Sequence, residues 1–397
     1  MKGSIRLLVL THNYPRFQGD HAGVFISLLS RRLTELGVHP IILAPHDRGA
    51  IEYEMVDGVT IYRFRYAEKA EDENLAYRGN MQQRVFGSPG GLFKFRHFLN
   101  DFSTAAHDII DREKVQVVAG HWLIPAGIVM KRLAHTRELP MILSSHGTDI
   151  RLLNRYGWAV YPYFRGFCRR IHRWTVVSSF LKKQIVRLDQ HIKETVEVLP
   201  LPHDEDIFYR DENIPREHDL IVSVTRFTSQ KRVEYLIKAL AAVAKKRPEV
   251  KLEIYGSGPR QPEIERLIER LNLSGRVKLS PPVTQPQLRT VYNRAAVVVL
   301  NSYQEGFGLA LSEAMLCGAA VIGTDSGGIP DIVANEQRGL LVPVDDSTSL
   351  SRAILRLLDD DGLRRRLAEA GCRYARETYT SGPPAARYAQ IVREALE

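Results

Sequence analysis

Short unbroken apolar runs alternate along this chain with longer stretches in which apolar residues recur every three or four positions. In the first half the runs are IRLLVL (5–10), PIILA (40–44), VQVVA (115–119), MILSS (141–145) and TVVSS (175–179). Runs this short, rich in Val and Ile and lacking alternation, predict strands covered on both faces. Between them, 24–36 and 98–112 carry helical periodicity. Strand–helix alternation predicts βα units wound into a parallel sheet. The scheme restarts with LIVSVT (220–225), VKLEIY (250–255), VVVL (297–300) and AAVIGT (319–324), with helices expected near 231–247, 260–272 and 308–317. The intervening LPLPHDEDIFYRDENIPREHD (199–219), dense in proline and charge, reads as a linker. The pattern therefore predicts two Rossmann-like α/β domains divided near 200–218. Residues 67–91 lack steady periodicity and predict one long loop. The closing segment breaks at Pro383–Pro384 before a last helix.

Composition fits that division. At 397 residues the chain exceeds the size at which one hydrophobic core stops growing. Its three cysteines are too few and too dispersed for a zinc site or a disulfide framework, which suits a reducing cytosol. The N-terminal apolar run is too short for a secretory signal, and no window is long and apolar enough to span a bilayer. The expected location is therefore the cytoplasm. Charge is unevenly shared. Residues 1–200 hold 28 Lys and Arg against 19 Asp and Glu, a balance of +9, whereas 201–397 hold 27 of each. The basic half predicts an anionic partner, and peripheral contact with an anionic membrane is one form of it. The segment YPYFRGFCRRIHRW (161–174), with four arginines among aromatics, reads either as an interfacial helix or as an ordinary amphipathic one.

Candidate chemistry clusters where strands are expected to end. In VTRFTSQKRVEYLI, Arg226, Lys231 and Arg232 stand at a predicted helix start. The macrodipole there disfavours cations unless an anion lies among them, although solvated surface charges fit the sequence as well. YGSGPRQPE carries Gly256 and Gly258 but has Gln261 where a dinucleotide fingerprint needs its third glycine. These glycines let backbone approach a ligand, or only shape a turn. EGFGLALSE places Glu305 before Gly306, Phe307, Gly308 and Leu309, with Glu313 well over one turn inside the helix. That spacing suits a grip on two parts of one ligand better than a proton-sharing pair. TDSGGIPDIV ends a third strand in Gly327 and Gly328. In the first half, Gly19 and Gly23 lie between strand and helix, and His121, His146 and Asp149 follow strands. No P-loop, nucleophile elbow or H-E-x-x-H occurs.

Together these segments resemble the retaining family-4 glycosyltransferases. The E-x7-E motif of that family is matched by Glu305 and Glu313, its R-x4-K by Arg226 and Lys231, and its G-x-G turn by Gly256 and Gly258. His121 matches the family's first-domain histidine, and His146 to Asp149 its HGTD segment. Arg232 stands where a glycine usually follows the lysine, and Pro200-Leu201-Pro202 where a P-N-G is frequent. The resemblance implies the α/β GT-B fold, two Rossmann-like domains facing each other across a cleft. An acceptor-binding domain of 1–200 would be completed by the returning helix 380–397, and a donor-binding domain would span 201–379. It further implies a nucleoside-diphosphate sugar as donor, Glu313 on its ribose, and Glu305 with Gly306–Gly308 on the sugar. Arg226 and Lys231 would neutralise the leaving diphosphate, and His121 would line the sugar site. Gly23, Gly256, Gly258, Phe307 and Leu309 would be donor-side, and His146 and Asp149 acceptor-side. The reaction would transfer a hexose-type sugar with retention to a glycan or lipid-linked acceptor of the cell envelope. Neither cofactor nor metal would be needed, and no nucleic acid is expected as partner. A nucleotide-sugar epimerase on the same fold, or a non-catalytic binder using the basic half, are the alternatives.

Overall fold

The computed structural model describes residues 4–77 and 81–397. They form two compact units. The first gathers the chain up to Val177 with Leu181–Pro202 and Ser381–Glu397; the second gathers Ser178–Phe180 and His203–Thr380.

The first unit is built on β1 (Ile5–Leu10), β2 (Val38–Pro45), β3 (Tyr53–Val56), β4 (Val59–Phe64), β5 (Val117–His121), β6 (Met141–Ser145), β7 (Arg173–Val176) and β8 (Val196–Val198). They lie in the order β3-β4-β2-β1-β5-β6-β7-β8, parallel except for β3 against β4. β1 sits between β2 and β5, Leu7 opposite Pro40 on one side and Val117 on the other. Its Leu7–Leu10 run is buried, as a strand covered on both faces requires. The helices Val24–Glu35 and Gly382–Glu394 pack together, joining Ile26 and Leu33 to Ala385, Ile391 and Val392 in one core. Pro383 and Pro384 lie in the first turn of that last helix, where a missing N–H costs no hydrogen bond.

The second unit contains β9 (Glu217–Val224), β10 (Lys251–Tyr255), β11 (Val277–Ser280), β12 (Ala295–Leu300), β13 (Ala320–Thr324) and β14 (Leu340–Val342), all parallel in the order β11-β10-β9-β12-β13-β14. Its core joins strand residues such as Ile221, Ile254, Val297 and Ile322 to the buried faces of the helices Val233–Ala244 and Ser347–Asp359. Each sheet has one point at which the order of strands reverses. That point lies between β1 and β5 in the first unit and between β9 and β12 in the second.

Several local expectations change. The stretch 67–91 is not one loop, because it contains a 3-10 turn at Ala70–Asp72 and a helix at Met81–Phe86, and Gly91 begins a helix that runs to Glu113. Residues 78–80 of that stretch lie outside the described residues. The run expected as a strand over 175–179 pairs only to Val176, and Ser179 opens the helix Ser179–Leu188. The aromatic and basic segment 161–174 is not one helix. Its first part ends the helix Thr148–Cys168 and its last part starts β7. The linker is well packed: Leu201 and Phe208 are buried, and Arg216 donates to the carbonyls of Ala295 and Cys317. Among the described residues, no helix is long and apolar enough to cross a membrane.

Candidate functional site

In open α/β sheets the crevice outside the strand C-termini, at the point of reversal, receives ligands. In the second unit the turn after β9 meets the turn after β12 there. The two are stitched by backbone and side chain. The Tyr303 N–H donates to the Gln230 carbonyl (2.8 Å), the Asn301 amide to the Arg232 carbonyl (2.8 Å), and the Ser302 hydroxyl reaches the Gln230 carbonyl (3.4 Å). The helix expected from Lys231 begins instead at Val233, and Ser229–Lys231 form a 3-10 turn. Arg232 adopts the left-handed conformation (φ 48°) between them. That is the conformation glycine adopts most readily, so the arginine keeps the turn at a conformational cost.

This turn sets the Lys231 ammonium on the Glu305 carboxylate in an ion pair with both side chains largely shielded from water. The Ser302 hydroxyl also donates to Glu305 (2.8 Å). Glu305 is fixed through its backbone as well, because its carbonyl accepts from the Gly328 N–H (2.8 Å). A Cβ on Gly327 would fall 2.2 Å from that carbonyl oxygen. Arg226 is exposed on the same turn, with no ion pair among the described residues. Arg232 is turned to Asp345 (2.9 Å) and lies over the Tyr303 ring.

Gly308 (φ 119°) caps the helix Leu309–Leu316, whose first N–H groups lack intrahelical acceptors. Glu313 lies inside this helix, and its carboxylate accepts from the hydroxyl of the fully buried Tyr292 (2.9 Å). Desolvation raises the Glu313 pKa to about 7, against the lowering effect of the Tyr292 hydrogen bond. The two glutamates thus have separate partners, Lys231 for one and Tyr292 for the other. Phe307 is buried, its ring edge-on to Tyr379 (5.5 Å), so only its backbone is available to a ligand, while Leu309 is exposed. Gly256 and Gly258 have a protein-internal explanation. Their Cβ positions would collide with the backbone of Thr225 and Phe227, and Phe227 N–H donates to the Ser257 carbonyl (2.9 Å). The glycines let the turn after β10 lie directly against the turn bearing Arg226.

The reversal point of the first unit has another chemistry. Gly23 (φ 60°) begins the helix Val24–Glu35, and a Cβ there would meet the Asn13 carbonyl at 2.1 Å. His12, after β1, stands edge-on to Trp122, after β5, with ring centroids 4.6 Å apart. His121 ends β5, and its Nδ1 lies 3.0 Å from Nε2 of His146, the two rings nearly parallel. Burial lowers the His12 pKa to about 4. Burial and the neighbouring His12 lower that of His121 to about 3, and burial followed by the other two imidazoles holds His146 well below its ordinary value. All three are neutral near pH 7. Nδ1 of His12 and Nδ1 of His146 are buried without a hydrogen-bond partner. Asp149, expected on the acceptor side, is buried and accepts from the Leu123 N–H (2.9 Å), the Ser145 hydroxyl (2.6 Å) and the Gly147 N–H (3.3 Å). It holds the turns that carry the histidines. Among the described residues no group of three or more His, Cys, Asp or Glu is placed to hold a metal ion.

Sequence reasoning missed His12, Tyr292 and Ser302. His12 follows β1 just as His121 and His146 follow their strands, a signal available in the pattern. Tyr292 and Ser302 act through contacts that no linear motif displays.

Two family models match the chain, one for "Glycosyltransferase Family 4" over 22–207 and one for "Glycosyl transferases group 1" over 204–373. An uncharacterized glycosyltransferase of Methanocaldococcus jannaschii is 25% identical over 337 residues, covering 83% of this chain and 92% of that protein. The N-acetyl-alpha-D-glucosaminyl L-malate synthase of Bacillus anthracis is 25% identical over 303 residues, 73% of this chain and 77% of its own. Among solved structures, sucrose-phosphate synthase of Thermosynechococcus elongatus superposes with a TM-score of 0.78 at 21% identity, covering 98% of each chain.

Proposed function

From the premise that the chain belongs to the family-4 glycosyltransferases of the GT-B fold, we propose that it moves a hexose-type sugar from a nucleoside diphosphate to an acceptor hydroxyl with retention of configuration. One observation carries the reading. The reversal point between β9 and β12 holds Arg226, Lys231 and Glu305 on turns locked together by hydrogen bonds, with Glu313 inside the adjoining helix. The bond between the anomeric carbon and the diphosphate oxygen breaks, and the electron pair leaves with the diphosphate. Arg226 and Lys231 neutralise the charge that develops there, which is the task of a metal in other sugar transfers, so no metal is needed. Fixed charges of this kind act without reorganisation in a partly dry site.

Glu305, tethered by Lys231 and Ser302, orients the sugar hydroxyls, and Glu313 receives the ribose hydroxyls. The acceptor oxygen bonds to the anomeric carbon on the face that the diphosphate leaves. With a pKa of about 3, His121 is too weak a base to take the acceptor proton near pH 7. The proton passes instead to the departing diphosphate oxygen, and His121 stays a neutral hydrogen-bonding group at the end of β5. The basic first half supports an anionic acceptor, such as a lipid-linked or phosphorylated glycan of the cell envelope. The relative from Bacillus anthracis carries an acid, L-malate, in its name.

The test has two stages. A thermal-shift screen with UDP, GDP and ADP sugars identifies the donor, because a ligand that binds the native state raises its melting point. Turnover of that donor is then measured with and without acceptor. Nucleotide release that needs no acceptor and leaves an epimerised sugar would overturn transfer.

A further inference from the structure

The helix Thr148–Cys168 has a second face that the fold does not use. Leu153, Tyr161, Phe164, Phe167 and Cys168 bury its inner side. On the outer side Trp158 is 85% exposed, with Tyr163 at 50% and Tyr156 at 43%. A helix already satisfied on its core face has no folding reason to present a bare indole. The residues around that indole are basic. The helix is kinked at Tyr156, which separates Arg151 and Arg155, four apart and one above the other, from Trp158 and Arg165, seven apart on one side of the second part. The Lys131 ammonium stands 3.2 Å above the Tyr163 ring. Between Asp149 and the end of the helix at Cys168 there is no acidic residue and there are three arginines (151, 155 and 165), with Arg169 and Arg170 directly after it. Asp189 takes up Arg169 at 2.7 and 3.0 Å and lies 3.8 Å from Arg165, which still leaves the face strongly positive.

We propose that this outer face of Thr148–Cys168 docks the protein on an anionic bilayer, with Trp158 and Tyr163 in the headgroup layer and Arg151, Arg155 and Arg165 on lipid phosphates. An amphipathic ring at the surface with cations beside it suits that layer, where one end of the ring is dry and the other wet. The charge excess chooses the membrane over a neutral glycan, which would stack on the same rings without needing the arginines. Tyr163 and Arg165 belong to the aromatic and basic segment 161–174, whose helical part ends at Cys168, and Trp158, Arg151 and Arg155 extend it toward the N-terminus of the helix. Docking needs neither donor nor turnover, so it stands or falls apart from the catalytic reading.

The experiment is flotation of the full-length chain with vesicles of phosphatidylcholine, alone or mixed with phosphatidylglycerol. Trp158 emission is followed in parallel and corrected with a Trp158→Phe variant. Retention is expected on the anionic vesicles only, fading as salt shortens the Debye length, with Trp158 emission moving to shorter wavelength. Arg155→Ala and Arg165→Ala should each weaken retention about fivefold. Trp158→Ala with Tyr163→Ala should weaken it about tenfold or more, with melting point and turnover on a soluble acceptor unchanged. No retention of the wild type, equal retention on both vesicles, or variants that bind as wild type would overturn the proposal. A Trp158 response to soluble oligosaccharide but not to vesicles would also overturn it, in favour of a glycan platform.

Discussion

The two points of strand reversal share a topology and differ in electrostatics. Between β9 and β12 the turns bring together an ammonium and a carboxylate, and Arg226 is exposed on the turn after β9. Between β1 and β5 the turns bring together His12, Trp122 and His121, and His146 joins them from the turn after β6. Burial keeps those imidazoles neutral. The parallel sheet supplies a crevice in each unit, and the turn residues decide what it can stabilise. A charged point can answer the separation of a diphosphate from a sugar. A neutral point can only shape, exclude water and hydrogen-bond.

That contrast is most exposed to Lys231→Ala. Removing the fixed cation should lower turnover by about 10²–10³, close to the effect of losing one preorganised donor. His121→Ala should cost less than Lys231→Ala, since it removes a neutral group and not a charge. Near-normal turnover in Lys231→Ala would sink the assigned roles, and an equal loss in His121→Ala would erase the distinction between the two points.

Next in size is the acid response of the neutral point. Each of these imidazoles has its folded pKa lowered below the unfolded value of 6.5. Each therefore contributes stability that is complete above about pH 6.5 and is lost as pH falls toward the folded values of about 4 for His12 and about 3 for His121. Melting temperature followed from neutral pH down to about pH 5 should drop, with a slope of up to about 1.4 kcal/mol per pH unit for each imidazole. His12→Asn should flatten that slope by one proton's worth. An unchanged slope would mean that the pocket titrates freely.

Strand and helix alternation was legible from the run lengths, and so was the clustering of Arg226, Lys231, Glu305 and Glu313 at strand ends. What the pattern could not convey was which atoms the glycines approach. Gly23 and Gly256 yield to the backbone of Asn13 and Thr225, neighbours in space whose positions depend on sheet order. The resemblance put Phe307 on the donor side, yet its ring is part of the core against Tyr379. The resemblance put Asp149 on the acceptor side, and in the fold it is buried and accepts from three donors. A motif fixes spacing along the chain. The direction of a side chain is set by packing between elements that the motif does not contain.

A smaller effect concerns Glu313, the one acid of the charged region with a pKa near neutrality. In the proposed role its ionised carboxylate would accept ribose hydroxyls and its protonated form would lose acceptor capacity, so donor affinity should fall as pH drops below about 7. Tyr292→Phe removes the hydrogen bond that favours the carboxylate and should move that midpoint upward. Glu313→Gln should weaken donor binding about tenfold, the scale of one charge-assisted hydrogen bond. Its stability should change in the opposite sense. The folded pKa is raised above the unfolded 4.5, so Glu313 contributes stability that is complete below about pH 4.5 and lost as pH rises through about 7. At pH 8 the Gln variant should melt later, by about 1 kcal/mol once its part exposure is allowed for. Titration calorimetry of the nucleoside diphosphate across pH separates the two effects, and a pH-independent affinity would remove Glu313 from the ribose.

The smallest effect is expected one residue past the largest. Arg232 differs from Lys231 in what it faces, being left-handed, paired with Asp345 and laid over Tyr303. Arg232→Gly relieves the left-handed backbone by roughly 1 kcal/mol. It also frees the unfolded chain by a comparable amount and removes a surface ion pair worth about 0–1 kcal/mol. These terms oppose one another, so stability should shift by less than about 1 kcal/mol and turnover by less than about threefold. If Arg232→Gly instead lowered turnover as far as Lys231→Ala does, the charged point would extend past the Lys231–Glu305 pair. The leaving diphosphate would then have to be placed between two cations of this turn, with Arg226 outside the reacting set.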